Sequence, residues 1–162
     1  MSGLIATVLG VGYLRPAPGT WGSLAALPLF WALHVAGGIA LCVLATVIVF
    51  GVGWWATMRE TAGSDDDDPS EIVIDEVVGQ WIALWPVSFG AGMMGVDVTR
   101  LWPGWVAGFL LFRLFDIWKP WLVGMADRRG DALGVMLDDV IAGVFAALVA
   151  IILAGLAHGL LM

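Results

Sequence analysis

Charge is what this chain has least of. No Asp, Glu, Lys or Arg occurs among the 43 residues from 16 to 58. Residues 77–96, 101–112 and 140–162 are equally bare. One Asp, Lys or Arg at the centre of a spanning helix costs about 2.5–3.5 kcal/mol. Long uncharged stretches separated by tight charged junctions therefore predict several membrane spans. Basic residues are few as well, seven against fourteen acidic ones for a net charge of −7, which excludes a nucleic-acid-binding role. A single cysteine, Cys42, excludes an internal disulfide, and its apolar surroundings assign it to packing. No GxxxxGK[ST] loop and no C-x₅-R nucleophile motif is present. Residues 1–12 carry no basic n-region, so a cleaved secretory signal is not expected.

Apolar residues fill the space that charge leaves. They make up 60% of the chain, above the roughly 45–50% of soluble domains, and the mean hydropathy is +0.95. The 162 residues suit one membrane-embedded domain over 1–162. The 43-residue gap is about twice the ~20 residues a spanning helix needs, so it reads as two spans broken at His34–Gly38. Span one, 22–35, is short and could be tilted or re-entrant, with Pro28 inside it. Span two, 39–58, closes on Trp54 and Trp55. A polar loop, 59–70, holds the run Asp65–Asp68, read as solvated. Ser70 is the expected N-cap of a third helix, 71–92, kinked near Pro86. A fourth helix runs from Pro103 to Lys119, where Pro120 ends it. An amphipathic connector, 121–137, leads to the last span, 140–161. The expected fold is an all-α polytopic bundle of four to five spans. His34 and His158 are assigned to an external loop and the C-terminal region, as interfacial filler.

Alternating sides place Arg15, the 59–76 loop and residues 113–139 on one face. That face carries six of the seven basic residues, which makes it cytoplasmic by the positive-inside rule. The residues able to do chemistry fall on the same face. Asp75 and Glu76 stand where the third helix enters the bilayer, and Asp138 and Asp139 repeat the arrangement at the last span. Adjacent carboxylates there repel unless a cation joins them, and hard oxygen ligands suit Mg²⁺. Compensation of the helix dipole at a helix start is the bland alternative for both doublets. Arg113, Asp116 and Lys119, spaced by three, fan over one side of a helix with Asp116 between two cations. Such a fork plus a point charge can receive a phosphate, or else form a structural ion-pair ladder. Gly19, Thr20, Gly22 and Ser23, in a Pro/Gly-rich turn before span one, offer small side chains and free amides for an anion.

Four segments in this order resemble the phosphatidylglycerophosphatase A family: Pro18-Gly19-Thr20-Trp21-Gly22-Ser23, Ile72-Val73-Ile74-Asp75-Glu76-Val77-Val78-Gly79, Phe112-Arg113-Leu114-Phe115-Asp116-Ile117-Trp118-Lys119-Pro120 and Met136-Leu137-Asp138-Asp139-Val140-Ile141-Ala142-Gly143. The resemblance implies an all-helical, Mg²⁺-dependent phosphatase of the bacterial inner membrane. It would hydrolyse phosphatidylglycerophosphate to phosphatidylglycerol at the cytoplasmic face. Asp75, Asp116, Lys119 and Asp139 are then the expected catalytic residues. Asp75, Glu76, Asp116, Asp138 and Asp139 are the expected metal ligands. Gly19, Thr20, Gly22, Ser23, Arg113 and Lys119 are the expected phosphate contacts. A cation- or proton-coupled transporter using the same carboxylates, or a structural scaffold, is the alternative.

Overall fold

The computed structural model describes residues 1–64, 66 and 68–161, without the side chains of 159–161, and every regular element among them is helical. The helices are α1 (Ser2–Ala6), α2 (Pro18–Glu60), α3 (Ile74–Met94), α4 (Trp102–Trp118), α5 (Leu122–Asp127) and α6 (Ala132–Leu161). Short 3₁₀ turns occupy Val11–Tyr13 and Val98–Leu101. Pro18–Glu60, Ile74–Met94 and Ala132–His158 are long and apolar enough to cross a membrane.

α2 is two arms rather than one rod. Its backbone leaves helical geometry at Gly37 and Gly38, and Gly38 takes a positive φ of 61° that glycine tolerates without a Cβ clash. Contacts with α3 show that the chain reverses there. Going up the first arm (18–36), the Ala26 carbonyl accepts from Trp81 Nε1 at 2.9 Å, and His34 Nδ1 lies 2.7 Å from Ser88 Oγ. Coming down the second arm (39–60), Cys42 Sγ lies 3.9 Å from Ser88 Oγ, and Thr46 Oγ1 accepts from Trp85 Nε1 at 3.3 Å. Such interhelical bonds are worth about 0.6 kcal/mol each on average inside a membrane. The break falls where the sequence placed it. Two expectations are corrected. The first arm begins at Pro18, a preferred first-turn position for proline, which makes it nineteen residues and about 28 Å long rather than short. His34 lies in helix and is bonded to Ser88, not in a loop.

α3 is the central helix. Fourteen of its 21 residues are buried, including Gln80 and Ser88, whereas only 11% and 17% of the most apolar stretches of the other two membrane-length helices are buried. Buried polar side chains on the most enclosed helix, with apolar ones facing outward elsewhere, follow the logic of a protein solvated by lipid. Ser70 does not cap α3. The helix starts at Ile74 after Val73, and Ser70 instead accepts from Arg15 Nη1 at 3.1 Å. Helix continues on both sides of Pro86. α4 starts at Trp102, with Pro103 in its first turn. The connector is not one element but α5, a turn and the opening turns of α6, which starts at Ala132.

α3, α4 and α6 approach closely through small residues. A Cβ on Gly79 would overlap the Phe112 ring and come within 2.6 Å of the Asp139 carbonyl oxygen. One on Gly143 would overlap the Gly79 carbonyl. This close approach brings the opening turn of α3, the closing turn of α4 and the second turn of α6 to one end of the bundle.

Candidate active site

At that end a cavity of about 260 Å³ is walled by the α2 start at Ala17–Gly19, by Asp68, Ser70 and Ile72, and by the charged groups of α3, α4 and α6. Asp75 and Glu76 open α3. Asp138 and Asp139 lie well inside α6, beyond its first turn. Dipole compensation fades within a turn, so it does not account for this second doublet. In both doublets the first carboxylate accepts the next residue's amide, Asp75 from Glu76 and Asp138 from Asp139, each at 2.9 Å. The second carboxylate of each is thereby left to other partners.

Those second carboxylates meet Asp116. Glu76, Asp116 and Asp139 each offer an oxygen within 4.8 Å of the others. Arg113 Nη1 pairs with Glu76 and lies 2.8 Å from Asp116 Oδ2. The Ser23 hydroxyl lies 2.9 Å from Glu76 Oε2 and 2.9 Å from the Gly19 carbonyl, within donating reach of either. Asp139 Oδ2 is buried with no hydrogen-bond partner among the described residues. An orphaned carboxylate oxygen is costly to bury. Three converging carboxylates, one of them with an orphaned oxygen, are a donor set that fits a divalent cation with hard ligands.

Lys119 sits apart from this group. α4 ends at Trp118, and Lys119 turns into left-handed backbone (φ 47°, ψ 54°) just before Pro120. Its side chain therefore leaves the helical face of Arg113 and Asp116. It pairs with Asp127 and lies 3.0 Å from Asp138 Oδ2. Burial disfavours its charge, but Asp127 and Asp138 outweigh burial and push its pKa above the ordinary lysine value. Asp116 is thus flanked by one cation, Arg113, rather than by two.

The turn before α2 contributes backbone more than side chains. A Cβ on Gly19 would overlap the Glu76 carboxylate and approach Arg113 Nη1 to 3.2 Å. Only glycine lets the start of α2 come so near the acids. The first-turn amides of a helix have no intrahelical partner, and with Pro18 lacking an N–H, the Gly19 amide is the one belonging to a helical residue on the cavity wall. Gly22 packs on Val73 instead, where a Cβ would come within 2.8 Å. Thr20 is half-buried outside the cavity wall. Ser23 faces a carboxylate. The structure thus brings together Gly19, Asp75, Glu76, Arg113, Asp116, Lys119, Asp138 and Asp139, and leaves Thr20 and Gly22 aside. Sequence reasoning missed Asp127, whose signal was faint, one acid in a short connector. It also gave Ser70 only a capping role, whereas the residue stands on the cavity wall. Asp65 and Asp67 lie outside the described residues.

The profile of the family described as Phosphatidylglycerophosphatase A matches residues 4–154. The chain belongs to this family. It is 35% identical over 147 residues to the phosphatidylglycerophosphatase A of Haemophilus influenzae, covering 90% of this chain and 84% of the relative. To the protein of the same name in Escherichia coli it is 34% identical over 145 residues, covering 89% and 78%. A relative from Bacteroides thetaiotaomicron, 37% identical over 146 residues and covering 88% and 86%, carries the provisional name phosphatidylinositol-3-phosphatase. No solved structure matches the chain.

Proposed function

We propose that this member of the phosphatidylglycerophosphatase A family removes the terminal phosphate of phosphatidylglycerophosphate, giving phosphatidylglycerol and inorganic phosphate. The observation that carries this reading is the meeting of Glu76, Asp116 and Asp139 beside Arg113, in a cavity at one end of long apolar helices. We further propose one domain whose five rods, the two arms of α2 with α3, α4 and α6, all cross the bacterial inner membrane. The cavity then opens to the cytoplasm, the side with six of the seven basic residues. A phosphate monoester on a lipid headgroup arrives at that depth. A transporter would need carboxylates along its path, whereas these lie together at one end.

The residues divide the work as follows. Arg113, the Lys119 ammonium and the Gly19 amide in the first turn of α2 receive the phosphate dianion. The cavity wall at Ile72 and Pro18 is apolar, which strengthens each of these contacts. Asp75, engaged by neither Arg113 nor Lys119, takes the proton of the attacking water. The water oxygen bonds to phosphorus as the bond from phosphorus to the glycerol oxygen breaks, and that oxygen takes a proton from solvent water, to which Asp75 returns the one it took. Mg²⁺ held by Glu76, Asp116 and Asp139, with Asp75 and Asp138 beside them, would supply Lewis-acid stabilisation of the charge on the phosphoryl oxygens. Purified protein in detergent should release inorganic phosphate from phosphatidylglycerophosphate faster than from phosphatidylinositol 3-phosphate. The reverse preference would change the substrate assigned, and no release from either would end the phosphatase reading.

A further inference from the structure

We infer that one acyl chain of the lipid substrate lies in a groove between the first arm of α2 and α4. This rests on the phosphatase reading above. A second cavity, about 400 Å³ and almost wholly apolar, opens between these two elements. Leu27, Pro28 and Trp31 line it from the arm, and Thr99, Trp102 and Trp105 from α4 and the turn before it. The same two helices build the charged site. On the arm, Gly19, Ser23, Leu27 and Trp31 follow one another at four-residue intervals and so share a face. On α4, Trp102, Trp105, Arg113 and Asp116 recur at helical spacing along the wall facing the arm. Arg113 Nη1 lies 3.5 Å from Ser23 Oγ at the charged end, and the Phe30 and Trp105 rings meet edge-to-face at 5.8 Å near the groove.

Depth matches a chain attached to the headgroup. Leu27 and Trp31 stand about 6 and 12 Å along the arm from Ser23, and Trp105 about 12 Å along α4 from Arg113, whereas Trp102 stands about 16 Å away and Thr99 lies beyond the start of α4. One leaflet's chains fill about half of a hydrocarbon core roughly 30 Å thick, so a chain anchored at the phosphate site reaches the near part of the groove, at Leu27, Trp31 and Trp105. A lipid entering sideways between the arm and α4 would meet both surfaces at once. That the arm and α4 wall both sites favours the substrate's own chain over an unrelated lipid. Lipid surrounds the helices in any case, so the groove contributes selection by shape rather than a hydrophobic gain.

The test compares phosphatidylglycerophosphate carrying two sixteen-carbon chains with the same lipid carrying two six-carbon chains, in one detergent. Leu27→Trp fills the groove, and Leu27→Phe fills it less. The kcat/KM ratio of long-chain to short-chain substrate should fall about tenfold in Leu27→Trp and by a smaller factor in Leu27→Phe. Native mass spectrometry supplies a readout independent of turnover. Wild type should retain the long-chain substrate more than the short-chain one, beyond any such difference for phosphatidylcholine of the same lengths, and Leu27→Trp should lose that dependence on chain length. An unmoved ratio in an active enzyme overturns the groove assignment and leaves the phosphatase reading standing. Equal loss on both substrates, or an equal dependence on chain length with phosphatidylcholine, also overturns it. Chain-dependent retention of the substrate without turnover would instead keep the groove and end the phosphatase reading.

Discussion

Two ion-pair groups share one cavity and differ in kind. Around Arg113, Glu76 and Asp116 retain only 11% and 13% of their side-chain surface, and Asp139 is buried with an unpartnered oxygen. Around Lys119, the lysine and Asp127 keep 31% and 36% exposed. Burial raises the stake of every charge, since effective dielectric falls and unpaired groups become costly. The inner group is therefore where a cation and a phosphoryl group are most strongly felt. The outer group is held at the mouth, half in water, and is suited to receiving charge as it arrives. The two acidic doublets straddle this division. Each gives its second carboxylate, Glu76 or Asp139, to the inner group, and Asp138 turns to Lys119.

The sharpest way to break this comparison is to neutralise the inner acids. Glu76→Gln and Asp139→Asn should each lower phosphate release about a thousandfold, since metal stabilisation is worth several kcal/mol at about 1.4 kcal/mol per decade. Both proteins should still elute as folded species in detergent. Activity within tenfold of wild type in either would remove that acid from the shared site. Arg113→Ala should come next, with a hundredfold loss of roughly the size seen when a charge-stabilising donor is removed. It should also lower thermal stability, because Glu76 and Asp116 lose their buried partner. Arg113→Lys should restore only part of each, as lysine lacks the fork. Equal rescue by lysine would reduce Arg113 to a point charge.

Outer substitutions should do less. Lys119→Ala should lower kcat/KM about tenfold and Lys119→Arg by less, if charge on the phosphate is its role, since one decade is about 1.4 kcal/mol. Equal, negligible effects would make Lys119 a structural partner of Asp138. Asp127→Asn should be the mildest, within about threefold in kcat/KM and under about 1 kcal/mol in stability, because exposed pairs contribute little. A larger effect at Asp127 than at Asp139 would invert the distinction between the two groups.

Much of the arrangement was legible because membranes punish charge. The gaps in the charge pattern located the long helices, and two glycines after His34 and Val35 located the reversal in α2. The acids of α3, α4 and α6 stood out because nothing nearby diluted them. Local endpoints were harder. Ser70 has the side chain of an N-cap, yet tertiary pairing with Arg15 claims it and α3 starts four residues later. Lys119 fits a helical spacing with Arg113 and Asp116, but the residue before a proline is driven out of helix, and its side chain swings to the mouth. Gly22 and Thr20 were grouped with Gly19 by adjacency. Helical rotation separates them, since only one in three or four positions of the first turn can face the acids. Asp127 was invisible because its pairing with Lys119 comes from the packing of α5 on α6, which no local pattern announces.

The central claim is that acids from three helices act through one divalent cation. Phosphate release from phosphatidylglycerophosphate should therefore be followed with wild-type protein stripped by a chelator and then titrated with Mg²⁺, beside Asp139→Asn treated identically. The account predicts that stripping abolishes release, that Mg²⁺ restores it in wild type, and that Asp139→Asn needs far more Mg²⁺ or never recovers. Full activity of the stripped wild-type protein, or identical Mg²⁺ curves for the two proteins, would contradict it.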